Sequence, residues 1–452
     1  MSVPAQVLVA NRGEIAVRII HACRAEGVRS VAALARPDLD SLPARLADKT
    51  VCLEGSGLAQ TYLSVPQIIG AALASGCDAV HPGYGFLSER PALAEACEAH
   101  GISFVGPTSA AIRLGGDKVR ARELAESLGI PVGSGSTGVE TVADAIASAE
   151  AAGYPVLLKA AAGGGGRGMV LVSAAAEMSE RFDRASEEAR NAFGDGRLFV
   201  EHYVTNARHV EIQILADRHG NVIHLGDRDC SYQRRYQKLI EEAPASSISP
   251  GLRTELAEAA LRLAKALDYV GAGTVEFVVD QDRCTFCFLE INTRVQVEHP
   301  VTEMVTGVDI VREQLRIAGG SRLSVTQDEV EIRGHAIECR VNAESARQGF
   351  VPAPGRLTDW VVPGGTGVRV DTHCFAGYEI PPFYDSLIAK VIVHGVDRAA
   401  AASRLAVALD DFRVGGIETT LDFHRAVVAD PAFLNNEINT RWVEEQFLPA
   451  WS

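Results

Sequence analysis

Residues 290–298 read Glu-Ile-Asn-Thr-Arg-Val-Gln-Val-Glu, a strict alternation of polar and mostly β-branched side chains. In an extended strand, side chains alternate faces. Glu290, Asn292, Arg294, Gln296 and Glu298 are therefore expected on one face, with Ile291, Thr293, Val295 and Val297 packed behind them. The polar face combines carboxylates and amides, which suit a hard cation such as Mg2+, with a guanidinium fork that suits an oxyanion. Glu298 is then left as a candidate base. A solvated strand face would show the same alternation. The apolar run at 286–289 and the His299-Pro300 that follows instead point to a buried strand emerging into a cleft.

Composition narrows the possible partners. The 452 residues allow about three domains and a large core. A formal charge of −15 argues against nucleic acid or an anionic membrane surface as partner. No apolar run approaches the roughly 18 residues that span a bilayer, and no secretory start is expected. The nine cysteines lack paired spacing; Cys284 and Cys287 stand close, with no second pair nearby. Reduced thiols in a cytoplasmic protein are the expectation.

The N-terminal segment reads as strand, glycine turn and helix: 7–10, Asn11-Arg12-Gly13, then 14–26. The turn lacks the further glycines of a dinucleotide fingerprint. Residues 81–89, rich in glycine and aromatics, form a tight loop after the strand at 79–80. Lys118 begins a helix running to about residue 128, a position that fits either an ordinary surface lysine or a nearby anion. The strand at 154–159 ends on Lys159. Gly163, Gly164, Gly165, Gly166, Arg167 and Gly168 follow, then another strand at 169–172. A glycine run between strands lets backbone N–H groups wrap phosphate, although a plain surface hairpin has the same composition. The stretch 228–238 is crowded with cations, as a solvated loop would be. Glu276, on a strand just before the alternating stretch, joins Glu290 and Asn292 as an oxygen-ligand set for a Mg-nucleotide.

Together these segments resemble the biotin carboxylase component of biotin-dependent carboxylases, within the ATP-grasp superfamily. The resemblance rests on residues 10–16, 81–89, 159–169, 228–238, 290–304 and 334–340 and on Tyr384-Asp385-Ser386. These run in order from about residue 5 to about 447. It implies an α/β chain with a Rossmann-like N-terminal domain (1–114), an ATP-grasp domain with a mobile lid (115–330, lid about 131–203) and a C-terminal α+β domain (331–452). It implies ATP and Mg2+ or Mn2+ as cofactors. Biotin is then a substrate carried on another chain, since no Met-Lys-Met site appears here. A carrier protein, a carboxyltransferase and a second copy of this chain are the implied partners, as in acetyl-CoA or acyl-CoA carboxylases of fatty acid biosynthesis.

Carried over by position, Lys118, Lys159 and the 163–168 loop hold the nucleotide phosphates. Glu201, Val204, His209 and Gln233 lie on the adenine and ribose side, and Glu276, Glu290 and Asn292 on the metal side. Lys238, Arg294, Gln296 and the main chain of Val297 line a bicarbonate pocket. Glu298 is the implied base, and Arg340 the cation beside the biotin ureido oxygen. Tyr236, Arg90, His202 and the stretch 39–46 depart from the usual pattern. Two other functions share part of this pattern: another ATP-grasp ligase that works through an acyl phosphate, and a non-catalytic nucleotide-binding partner protein. The motif around Arg340 argues against the first, and the retained Glu276, Glu290, Arg294, Glu298, Lys238 and Arg340 against the second.

Overall fold

The computed structural model describes residues 3–133, 138–160 and 169–451. Five short parallel strands open the fold: β1 (Gln6–Val9), β2 (Arg29–Leu34), β3 (Lys49–Cys52), β4 (Ala79–His81) and β5 (Ser103–Phe104). Their spatial order is β3-β2-β1-β4-β5. Every residue of β1 is buried, as expected of a parallel strand covered on both faces. The strand order reverses between β1 and β4, so the loops leaving their C-terminal ends meet at a crevice. There Asn11 donates from Nδ2 to the carbonyls of Pro82 and Tyr84, 2.7 Å each. Arg12, just before helix α1 (Gly13–Ala25), pairs with Asp38 at 2.9 Å and lies 3.7 Å from the ring centre of Tyr384. Tyr384 in turn donates to Asp38 at 3.0 Å. Two segments singled out in the sequence, one near each end of the chain, are thus bound to each other.

Helix α2 (Lys118–Ser127) follows, capped by Asp117, which accepts from the Arg120 amide at 3.2 Å. A small antiparallel sheet comes next, formed by β6 (Val156–Ala160), β7 (Met169–Val172) and β8 (Leu198–His202) in the order β7-β6-β8. Helices α3 (Val142–Ala152) and α4 (Met178–Phe193) cover it. Val156, Leu158, Val172 and Val200 supply its buried face.

The main sheet is antiparallel and has eight strands. They are β9 (Ala207–Ala216), β10 (Val222–Arg234), β11 (Gln237–Ala243), β12 (Gly271–Asp280), β13 (Thr285–Asn292), β14 (His335–Asn342), β15 (Val368–Thr372) and β16 (Leu387–Gly395). The spatial order is β13-β12-β9-β10-β11-β14-β16-β15. The domain boundary expected near residue 330 falls before β14, and the sheet runs across it because β11 pairs with β14. Helix α5 (Pro250–Ala266) begins at Ser249, whose hydroxyl accepts from the Leu252 amide. Its Leu256, Ala260 and Leu263 pack against Val210, Ile212 and Ile214 of β9. On the other side of the sheet, α6 (His299–Thr306) and α7 (Ile310–Ala318) bring it against α1.

Two readings of the sequence are corrected here. The cation-rich stretch 228–238 is not a solvated loop. Arg228, Asp229, Cys230, Ser231 and Gln233 are buried in β10, and only the hairpin tip at Arg235 and Tyr236 takes positive φ. Nor is 290–298 one strand. β13 ends at Asn292, and the chain then turns into α6, leaving Glu298 as its N-cap. His299-Pro300 brings this about, since proline suits the first turn of a helix and cannot continue a sheet ladder.

Glu303 on α6 ties the three parts of the chain together. Its carboxylate lies 2.8 Å from Arg18 of α1 and 2.7 Å from Arg369 of β15, and it accepts from the Ile310 amide at 2.8 Å. Burial alone would raise this carboxyl, but Arg18, His299 and Arg369 outweigh it and hold it at about 2. Because the folded value lies below the unfolded one, the contribution is complete above about pH 4.5 and is lost as pH falls toward about 2. Glu303→Gln is expected to lower stability at pH 7 by about 3 kcal/mol. It should also flatten the acid limb of a stability–pH curve from chemical denaturation. An unchanged acid limb would show that the clamp contributes nothing.

Candidate active site

Lys238 lies at the centre of the site. It sits on β11, and its side chain is 12% exposed. Its Nζ lies 2.6 Å from Glu211 on β9, 2.9 Å from Glu276 on β12 and 2.7 Å from Glu298, with Gln296 Oε1 at 3.3 Å. Burial pulls the ammonium down, but Glu211, Glu276 and Glu298 outweigh it and keep Lys238 well above the ordinary lysine range. Lys238 therefore stays charged and serves as a fixed cation, not a base. Behind it lies a second buried cation, Arg228. Arg228 donates to Glu211 at 2.5 Å, Gln213 at 2.7 Å, Thr302 at 3.0 Å and Thr274 at 3.1 Å.

Glu298 is held by a cation on each oxygen, Lys238 on Oε1 and Arg340 Nη2 on Oε2 at 3.0 Å. Burial would raise its carboxyl, yet Lys238, Arg340 and Arg228 hold it far below the usual carboxylate range. Arg340 on β14 also donates from Nε to Glu241 at 2.5 Å. Glu241 stands directly across from Glu338 in the β11–β14 register. Glu241 Oε2 and both Glu338 oxygens are buried with no hydrogen-bond partner among the described residues. Burial pushes Glu241 up to about 7 and Glu338 well above its ordinary value. Two buried carboxyls so placed retain a proton. Cys230 lies beside Glu211 and Glu298, and burial and those carboxylates keep its thiol protonated.

Past the end of β13, the alternation seen in the sequence still converges on one place. Gln296 donates to Glu276 Oε1 at 2.9 Å, and Asn292 Nδ2 donates to the same oxygen at 2.9 Å. Arg294 Nη2 donates to Asn292 Oδ1 at 3.0 Å, and its Nε lies 3.0 Å from Glu89. Glu89 closes the 81–89 loop and also accepts from the Thr293 amide at 3.2 Å. Glu290 is the register partner of Glu276 but is half-buried, with Oε2 3.0 Å from Lys118. His209 Nε2 lies 2.9 Å from Glu276. Its Nδ1 accepts from the Gln233 amide at 2.9 Å, and that amide also donates to the Cys230 carbonyl, so the ring proton sits on Nε2. Glu201 is paired with Lys159 and with Arg122 at 3.0 Å. Val204 lies just beyond β8, part-buried. Gly163, Gly164, Gly165 and Gly166 lie outside the described residues. The two carboxylates Glu276 and Glu290 and the Asn292 amide are hard oxygen donors from adjacent strands, a set that fits Mg2+ or Mn2+.

Comparison with known proteins shows the family. Residues 4–112 match the biotin carboxylase N-terminal domain, 117–326 the ATP-binding domain of the carbamoyl-phosphate synthase L chain, and 338–445 the biotin carboxylase C-terminal domain. The chain is 50% identical over 441 residues to the biotin carboxylase of a Nostoc species, covering 97% of this chain and 98% of that one. The chain belongs to the biotin carboxylase family. The biotin carboxylase of Pseudomonas aeruginosa is 49% identical, with 98% of each chain covered. Among solved structures, the biotin carboxylase domain dimer of the Hydrogenobacter thermophilus 2-oxoglutarate carboxylase superposes with a TM-score of 0.92 at 44% identity, covering 98% of each chain. That structure is a complex with MgADP, ADP and bicarbonate. The biotin carboxylase of Campylobacter jejuni in complex with β,γ-ATP gives a TM-score of 0.92 at 43% identity, covering 97% of this chain and 98% of that one.

Reading the sequence did not assign a role to Glu211, Arg228, Glu241, Glu89 or Arg122. The signal for Glu211 is the alternation of His209, Glu211 and Gln213 with Val210, Ile212 and Ile214 along β9, and Glu89 ends a loop already singled out. Arg228 opens the cation-rich stretch 228–238, but neither its buried role nor that of Glu241 is marked locally, because their partners are distant in sequence. Of the departures from the usual pattern, His202 caps its own lobe through the Gly153 carbonyl at 2.8 Å. Tyr236 sits at the hairpin tip, 61% exposed. Glu89→Ala removes the carboxylate that holds Arg294. It is expected to lower kcat/KM for bicarbonate about tenfold with little change in Tm, since Glu89 is itself part-exposed. Steady-state ADP release checks this, and an unchanged kcat/KM would show that Arg294 is held by other contacts.

Proposed function

We propose that the cluster of Lys238, Arg294, Gln296, Glu298 and Arg340 carries the ATP- and bicarbonate-dependent carboxylation of the biotin ureido nitrogen, the reaction of the family. The observation that carries this reading is the meeting, in one buried cluster, of a permanently charged lysine, a carboxylate held by two cations and an arginine fork. The bicarbonate and MgADP in the Hydrogenobacter thermophilus relative support it.

The electrostatics suggest how the base is switched on. With both oxygens held, Glu298 is a poor proton acceptor. A bicarbonate anion seated against Lys238 and Arg294 competes for the same N–H groups. As Lys238 turns toward the anion, Glu298 loses part of what depresses it and becomes basic enough to take the bicarbonate proton. The resulting oxyanion attacks the γ-phosphorus of ATP and ADP leaves, forming carboxyphosphate. A divalent ion held by Glu276, Glu290 and Asn292 would offset phosphate charge when bound. Carboxyphosphate then breaks its C–O bond to give CO2 and phosphate. The phosphate takes the proton from the ureido nitrogen, Arg340 stabilises the enolate-like oxygen, and the nitrogen bonds to CO2. Lys118, Lys159, Glu201, Val204, His209, Gln233 and the 163–168 loop are assigned to the nucleotide.

The carrier of biotin and the carboxyltransferase are proposed to be other chains, with this chain acting as a homodimer in the cytoplasm. No helix among the described residues is long and apolar enough to cross a membrane. The relatives include one component of a pyruvate carboxylase, from Methanothermobacter thermautotrophicus, and the 2-oxoglutarate carboxylase domain. A chain of this architecture therefore accompanies different carboxyl acceptors.

ADP release by the purified chain with Mg-ATP should require bicarbonate and rise with free biotin. Glu298→Gln is expected to reduce that release by about a hundredfold or more while ATP still binds. Near-normal turnover in this variant would falsify the assignment of the base. Arg340→Ala should impair biotin carboxylation more than bicarbonate-dependent ATP cleavage, and equal losses in both would remove Arg340 from the biotin side.

A further inference from the structure

Lys390 is fully buried on β16, between Arg340 of β14 and Asp371 of β15 in the strand register. A lysine without access to water is costly unless its ammonium is fully partnered. Its Nζ leaves the sheet plane for two groups outside it. It donates to the Val297 carbonyl at 2.8 Å and lies 3.2 Å from Glu14 of α1, with Asp371 at 3.8 Å. The preceding peptide is held as well, because the Gln296 carbonyl accepts from His299 Nδ1 at 2.8 Å and from the His299 amide at 3.3 Å. A trans peptide is planar, so fixing a carbonyl fixes the direction of the N–H on the same unit. The N–H groups so fixed are those of Val297 and Glu298. Neither has a protein acceptor among the described residues. They sit within the run that also carries Arg294, Gln296 and the Glu298 carboxylate.

We infer that Lys390 is a positioning residue for bicarbonate. By gripping the Val297 carbonyl from the sheet and anchoring to Glu14 of the N-terminal helix, it holds two backbone N–H donors and the Glu298 side chain in place around the anion. His299 does the same for the peptide before. Preorganised donors of this kind need no reorganisation when the charge arrives. A flexible turn here would have to be ordered by the ligand, and affinity for bicarbonate would fall. The inference rests on reading the Lys238, Arg294, Gln296 and Glu298 cluster as the bicarbonate pocket.

The test is steady-state ADP release by the full chain, with bicarbonate and ATP varied separately. Lys390→Met keeps the length of the side chain and removes the ammonium. KM for bicarbonate is expected to rise about ten- to a hundredfold, with KM for ATP within about twofold of the native value. A purely structural lysine would instead lower the active fraction, reducing kcat and leaving both KM values in place. Because Lys390→Met leaves Glu14 buried without its cation, the double variant Lys390→Met/Glu14→Gln is measured beside it. Arg294→Ala serves as the reference for the pocket itself. If Arg294→Ala raises KM for bicarbonate and the Lys390 variants do not, the role of Lys390 is overturned and the pocket stands. If none of them moves it, the pocket reading fails and the inference with it. Loss of folding in both Lys390 variants also overturns the inference, since it makes Lys390 a residue of the core alone.

Discussion

The structure depends above all on a pair of positive charges largely shielded from water. Lys238 and Arg228 lie side by side in the middle of the main sheet, and Glu211, Glu276 and Glu298 surround them. A buried ammonium is tolerated only where opposite charge and hydrogen-bond acceptors meet it at close range. That requirement fixes the register of several segments at once. β9 must bring Glu211 to β10 and β11, β12 must bring Glu276, and the turn before α6 must bring Glu298. Apolar residues of similar volume in place of a buried ion cluster are often no less stable, so these charges are better explained by the chemistry they permit. The proposed reaction needs cations that hold an oxyanion and a carboxylate whose basicity depends on what those cations are holding.

The N-terminal part of the chain supports this centre from the side. Its strand-end loops do not carry the charged cluster themselves. They brace it: Glu89 holds Arg294, Glu14 meets Lys390, and Asn11 fixes the loop at Pro82 and Tyr84. Glu303 performs the same service one layer out, joining α1 and β15 through Arg18 and Arg369. A run of buried ion pairs therefore spans all three parts of the chain, and the eight-stranded sheet crosses from the middle part into the C-terminal one without a break. The Arg12, Asp38 and Tyr384 contact adds a second bridge, from the first loop to the loop before β16.

Much of the secondary structure was legible from the sequence because it follows local rules. β7 is observed at Met169–Val172 as expected, and the helix expected at 14–26 is observed at Gly13–Ala25. The strand expected at 154–159 is observed at Val156–Ala160. The misreadings share one cause. Residues 228–238 look solvated because they are charged, and 290–298 look like a strand because they alternate. In both places the outcome is set by partners far along the chain. Arg228 can be buried only because Glu211, Gln213, Thr274 and Thr302 accept its hydrogen bonds. The alternating stretch bends after Asn292 because His299-Pro300 opens a helix that packs on β14 and β16.

The sequence by itself determined which chemical groups this chain has and in what order they occur. The motifs at 10–16, 81–89, 159–169, 228–238, 290–304 and 334–340 and Tyr384-Asp385-Ser386, occurring in order, were enough to place the chain in its family. Tertiary structure alone decided the charge state and bracing of those groups. That Lys238 is permanently charged, that Glu298 is held down by two cations, and that Glu241 faces Glu338 with a proton to keep all follow from burial and from distances between strands. The same holds for Lys390, a lone lysine in an apolar strand, which gains its meaning only when β16 lies under Val297 and Glu14. Electrostatic energy depends on separation and on exclusion of water, and neither is written in the order of residues.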